Sequence, residues 1–208
     1  MENVIELHPE IKRLVGDDTR AERIADGFTF TEGPVWDYRR GRLLFSDIPG
    51  DTVYEWTAGK GHHPYRRPSA NTNANTIDQN GRVVCCEHTG RRVSRERPDG
   101  TFETLAGDYQ GGRLNSPNDV ICASNGDIIF TDPPYGLRRS DGTFARGQLG
   151  FNGVFRINTR GELILLADDF IRPNGLLLNA AETQLYVDDT EHQHVRVFDV
   201  SQDGTVAN

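Results

Sequence analysis

Lysine is almost missing from this chain of 208 residues: among its 23 basic side chains, only Lys12 and Lys60 are lysines. The 31 acidic residues leave a formal net charge of −8, which speaks against nucleic acid or an anionic membrane surface as the main partner. Cysteine is equally scarce. Cys85, Cys86 and Cys122 cannot build a disulfide framework, and the adjacent pair must point to opposite faces of a strand. They read as small, reduced, apolar residues. No apolar run approaches the roughly 18 residues of a spanning helix. The start, Met1 to Pro9, lacks the basic and apolar regions of a secretory signal. The expectation is a soluble cytoplasmic protein with no nucleic-acid or membrane partner.

A sustained 3.6-residue period is also absent. With 22 glycines and 10 prolines, the chain is punctuated too often for helices of ordinary length. A short strand-like run recurs instead, each copy ending in an acid: Gly41 to Asp47, Gly81 to Glu87, Gly126 to Asp132 and Thr183 to Asp189. Two copies follow Asn-Gly (Asn80-Gly81 and Asn125-Gly126), the dipeptide of two-residue hairpin turns. Further runs follow around Gly59, Gly100, Gly161 and Gly204. Four antiparallel strands repeated every ~40–50 residues is the pattern of a β-propeller blade. A β-sandwich would also show short, regularly spaced strands, but has no reason to repeat one four-strand unit with one acidic terminus.

The expected organisation is an N-terminal leader over residues 1–20 and a partial, all-β propeller over 21–208. Its blades are placed at about 29–68, 69–107, 114–168 and 170–208, the last expected to stop just after its third strand. Ala21 to Ala25 could supply an outer strand that closes the ring. An open arc leaves an unpaired edge that invites self-association by strand pairing.

Counting back from each terminal acid to the start of the first strand gives Glu32, Asn73, Asn118 and Asn174. First strands line a propeller's channel, so these side chains face one another. A ring of carboxylate and amide oxygens suits a hard cation such as Ca²⁺. Single asparagines often only shape turns, but four register-matched oxygen donors favour a site. Asp47, Glu87, Asp132 and Asp189 read as strand-end hydrogen bonders. His192 and His194, at i and i+2 on a strand face, could bind a metal but read as exposed blade positions. His88 is open between a substrate hydrogen-bonder and a structural histidine. The sequence holds no Gly-x-Ser-x-Gly elbow, His-Glu-x-x-His, Cys-x-x-Cys, Walker or dinucleotide loop.

Phe30 to Trp36 with Leu44 to Ile48, Ser116 to Val120 with Phe130 to Asp132, and Arg172 to Leu176 with Leu185 to Thr190 resemble the gluconolactonase family. Its calcium-dependent six-bladed propellers also include senescence marker protein and luciferin-regenerating enzyme. The run Gly81 to His88 with Arg91-Arg-Val is similar to the bacterial sugar-lactonase branch. The resemblance covers about residues 22–208 and implies Glu32 and Asn174 as metal ligands, with Asn118 near both metal and substrate. The metal it implies is Ca²⁺, with Zn²⁺, Mn²⁺ or Mg²⁺ as alternatives. It also implies an aspartate ligand and general base in the next blade, beyond residue 208, so no catalytic residue is assigned within the chain.

The implied activity is hydrolysis of a gluconolactone-like sugar lactone to its aldonic acid. Asn73, His88, Asn118, Asp119 and Tyr135 are expected to bind substrate, together with the insertion Pro133 to Gly150. An arginine of the animal members is replaced here by Ser116-Pro117, so their substrate preference does not carry over. A phosphotriester or aryl-ester hydrolase, or an inactive fragment or binding scaffold, are the alternatives.

Overall fold

A computed structural model describes residues 21–207 together with His8, Glu10, Ile11 and Arg13. The expected leader over 1–20 otherwise lies outside the described residues. Four antiparallel sheets of four strands follow one another along the chain and are arranged as propeller blades. The first comprises β1 (Thr31–Asp37), β2 (Arg42–Asp47), β3 (Thr52–Thr57) and β4 (Gly61–Arg66); the second, β5 (Thr72–Ile77), β6 (Val83–Glu87), β7 (Arg92–Glu96) and β8 (Phe102–Ala106). A small hairpin of β9 (Asp108–Tyr109) and β10 (Gly112–Arg113) precedes the third blade. That blade holds β11 (Val120–Cys122), β12 (Ile128–Asp132), β13 (Asn152–Ile157) and β14 (Leu163–Phe170). The fourth holds β15 (Pro173–Leu178), β16 (Gln184–Asp189), β17 (His194–Val200) and β18 (Val206–Ala207). The four repeated acidic runs are β2, β6, β12 and β16.

Two expectations about strands are corrected. The fourth blade does not end at its third strand: the Asp203-Gly204 turn closes a hairpin, with Gly204 at φ +76° and Ser201 N donating to Thr205 O at 2.9 Å, so β18 pairs with β17. Residues 21–28 form no strand. Phe28 instead packs edge-on against Phe45 and Tyr54, each with ring centroids 5.0 Å away.

The repeated runs of the second and third blades are largely apolar because each of these sheets is covered on both faces. Alternate β6 residues serve two neighbours. Val83 and Cys85 join Leu44 and Val53 of the first blade in one cluster, while Val84 and Cys86 join Phe130 and Phe155 of the third. Ile129 and Val154 then meet Leu185, Val187 and Phe198 of the fourth. The adjacent cysteines are thus free and buried between different pairs of blades. Burial pushes the Cys85 thiol up to about 12, so it stays an inert apolar filler. No helix among the described residues is long and apolar enough to cross a membrane.

Candidate axial site

The acid at the end of each second strand fixes where the first strand begins. Asp47 accepts from Thr29 N (3.2 Å) and Phe30 N (3.1 Å). Asp132 accepts from Asn115 N (2.7 Å) and Ser116 N (2.8 Å). Asp189 accepts from Ile171 N (2.8 Å) and Arg172 N (3.1 Å). In each case the two amides lie just ahead of Glu32, Asn118 or Asn174. The second blade departs from this pattern. There Asp51, from the first blade, accepts from Asn71 N at 2.7 Å, and the longer Glu87 turns to Arg66 (2.8 Å), Arg92 and Ser94.

Each of β1, β5 and β15 loses register with its partner at the position counted from the acid. The breaks fall between Glu32 and Val35, Thr72 and Asn75, and Pro173 and Leu176. In the third blade, Asn118 lies just ahead of β11, with its N–H donating to Thr131 O at 2.9 Å. Such irregularities re-aim a side chain out of the pleat, here toward the axis. Gly33 makes the first of them possible. It has φ +56°, and a Cβ there would lie 2.2 Å from Asn73 O.

The three asparagine side chains meet. Asn73 Nδ2 donates to Asn118 Oδ1, Asn118 Nδ2 donates to Asn174 Oδ1 at 2.5 Å, and Asn174 Nδ2 donates to Thr190 Oγ1 at 3.2 Å. His88 Nε2 lies 3.3 Å from both Asn73 Nδ2 and Asn118 Oδ1, accepting from one or donating to the other according to its tautomer. Burial pushes this imidazole down to about 4, so it is neutral at pH 7. Glu32 keeps a free carboxylate face, its one hydrogen bond being from Gly33 N at 3.3 Å.

Above the ring lies a cavity of about 540 Å³ that Glu32, Asn73, His88, Asn118, Tyr135 and Asn174 all line. These are the residues singled out from sequence, except Asp119. Asp119 faces a second hollow of about 430 Å³ on the other side of the ring, where its carboxylate accepts from Val120 N (2.9 Å) and Leu176 N (3.0 Å). Burial, with Asp188 and Glu32 nearby, raises its pKa. As a substrate contact Asp119 is therefore poorly placed, because the chain turns over between consecutive residues. A third hollow, at Ile24, Phe28, Leu43 and Phe45, has a mostly apolar lining.

The insertion Pro133 to Gly150 reaches the cavity through Tyr135, Arg138, Gly142 and Phe144. Ser116 ties it down, donating to Pro133 O at 2.6 Å and accepting from Gly136 N at 2.8 Å. Tyr135 OH donates to Thr190 Oγ1 at 3.0 Å. Arg172 also lines the cavity, with its guanidinium 5.6 Å from the Phe144 ring centre. Sequence reasoning did not single out Arg172 or Thr190. A usable signal existed, because the residue after a terminal acid lines the cavity in three blades: Ile48, His88 and Thr190.

A four-blade propeller arc that gathers one carboxylate and three amides at the floor of a polar cavity belongs to the propeller proteins with an axial pocket. Residues 30–208 match the family described as SMP-30/Gluconolactonase/LRE-like region, and the chain belongs to that family. It is 30% identical to a gluconolactonase of Zymomonas mobilis, over 96% of this chain and 60% of that protein. It also superimposes with a TM-score of 0.82 on a solved gluconolactonase structure from Xanthomonas campestris, at 37% identity, covering 89% of this chain and 63% of that one. The calcium-binding protein regucalcin of Agrobacterium tumefaciens shares the fold, with a TM-score of 0.67 at 15% identity, covering 87% of this chain and 58% of that one. The chain therefore spans less than two thirds of each of these proteins.

Proposed function

We propose that this chain supplies the ring and most of the pocket wall of a sugar-lactone hydrolase acting in the cytoplasm on a gluconolactone-like substrate. The observation that carries the reading is the convergence of Glu32, Asn73, Asn118 and Asn174 beneath a cavity that also presents His88 and Tyr135. Its support is the family membership and the two gluconolactonases to which the chain is similar.

The donor set fits a hard divalent cation, since one carboxylate and amide oxygens match oxygen-only coordination. Glu32, Asn118 and Asn174 would hold it, with Ca²⁺ the first choice and Zn²⁺, Mn²⁺ or Mg²⁺ the alternatives. When bound, such an ion supplies Lewis acidity toward a lactone carbonyl. The chain's own residues bind and orient the sugar. Asn73 and neutral His88 sit side by side as hydroxyl partners, Tyr135 and Arg138 border the opening, and Phe144 offers an apolar wall. Among the described residues, Glu32 is the one carboxylate lining the cavity, and it is assigned to the cation. The family resemblance implies an aspartate of the next blade as the acceptor of the proton from the attacking water.

The test is turnover of glucono-1,5-lactone by protein carrying this chain, followed by acid release, with and without chelator and with Glu32→Gln. Loss of activity in both supports the reading. Activity unchanged by Glu32→Gln removes the cation assignment, and faster turnover of a phosphotriester or aryl ester would favour the alternative chemistry.

A further inference from the structure

The turn between β16 and β17 gathers a second set of ligand-bearing side chains, on the outer side of Asp189 from the ring. Gln193 adopts φ +54° and its N–H donates to Asp189 O at 2.8 Å. This tight return places His194 opposite Asp189 in the strand register and turns His192 back over the same carboxylate. His192 Nδ1 lies 3.0 Å from Asp189 Oδ2, and the two imidazole rings are 5.2 Å apart and tilted by only 32°. One ligand atom from each of Asp189, His192 and His194 falls within 4.8 Å of the others. Among the described residues, this is the one such group of three.

We infer that Asp189, His192 and His194 form a binding site for a borderline transition-metal ion of the Zn²⁺ type, separate from the axial ring. Two imidazoles and a carboxylate are the ligand chemistry of zinc, cobalt and nickel rather than calcium. With metal–ligand bonds of about 2.0–2.2 Å, neighbouring ligand atoms of a bound ion stand roughly 3 to 3.5 Å apart. The 3.0 Å separation of Asp189 Oδ2 and His192 Nδ1 already fits this spacing, and the 4.8 Å limit leaves a small imidazole rotation for His194. The carboxylate is held in advance by backbone N–H groups from Ile171 and Arg172, as an outer shell holds a metal ligand. The histidines are exposed, so an ion reaches them directly from water, and three protein ligands leave a position for a water molecule.

The position also matters. Thr190, next to Asp189, lines the axial cavity and accepts from Tyr135 OH and Asn174 Nδ2. An ion here would brace the loop that carries one wall of the pocket.

The experiment is titration of tag-free, chelator-treated protein with Co²⁺, read by its visible absorption bands, and with Zn²⁺, read by calorimetry. One equivalent is expected at this site, counted as the binding that Glu32→Gln retains, apart from any ion the axial ring takes. His192→Ala and His194→Ala should each weaken binding of that equivalent by at least about tenfold, with unchanged circular dichroism, and Glu32→Gln should keep it. Asp189 is left intact because it also anchors the start of β15. No binding by the parent protein, binding as tight as the parent's in both histidine variants, or loss only in Glu32→Gln would each overturn the assignment.

Discussion

Asn118 and Asn174 are joined side chain to side chain, the amide nitrogen of the first donating to the amide oxygen of the second at 2.5 Å. That oxygen is one of the donors assigned to the axial cation, and Asn118 Oδ1 is likewise taken up by Asn73. Loading the ring therefore exchanges amide–amide hydrogen bonds for ion–dipole contacts. Asn174→Asp adds charge where the cation sits, and is expected to tighten Ca²⁺ binding roughly tenfold, since affinity rises with carboxylate count. Asn174→Ala should weaken it. Calorimetric titration of the two variants distinguishes a cation ring from a purely structural amide cluster, for which neither change would matter.

The strand-end acids give a second prediction. Asp132 is fully buried and accepts from the backbone N–H groups of Asn115 and Ser116. Asp132→Ala orphans both, at about 1–3 kcal/mol each, so a loss of about 2 to 6 kcal/mol is expected in urea unfolding. Asp132→Asn keeps one acceptor oxygen and should lose less. Equal stability of all three proteins would show that the acid does not hold the start of the first strand.

Much of this architecture was legible because a blade must repeat. The acid and the largely apolar run before it recur at each second strand, with a glycine opening the run in the first three, and counting back from Asp47, Asp132 and Asp189 reaches the ring residues directly. What the pattern could not show is geometry between repeats. Asp119 follows Asn118 yet lines the second hollow and not the cavity, its carboxylate held by Val120 N and Leu176 N. Asp51 takes over the role that Glu87 leaves, a substitution across blades that no single repeat contains. His192 and His194 read as exposed blade positions and are exposed, but only the folded turn brings them onto Asp189.

Glycine 33 separates close approach from mere turn chemistry. Gly33→Ala would place a Cβ 2.2 Å from Asn73 O at φ +56°, forcing β1 and β5 apart beside Glu32. Gly161→Ala meets open space at φ +81°, and should cost only about 1 to 2 kcal/mol for the left-handed conformation. Gly33→Ala is expected to cost clearly more in the same unfolding assay, and to weaken cation binding as well. Equal costs would mean that the two strands can separate freely.

Neutral His88 makes stability depend on pH in a defined direction. Its pKa falls from 6.5 to about 4 on folding because burial disfavours the charged imidazole. Between those values the unfolded chain binds a proton that the folded one does not. Stability therefore falls as pH drops from 6.5 toward 4, and this contribution levels off above 6.5. A shift of this size corresponds to about 3 kcal/mol across the window. His88→Gln keeps a neutral hydrogen-bonding side chain beside Asn118 but cannot titrate. Urea midpoints measured from pH 4 to 8 should therefore rise less steeply for the variant than for the parent below pH 6.5, and should run parallel above it. Identical slopes in both proteins would place the acid sensitivity elsewhere and leave His88 charged or solvated in the folded state.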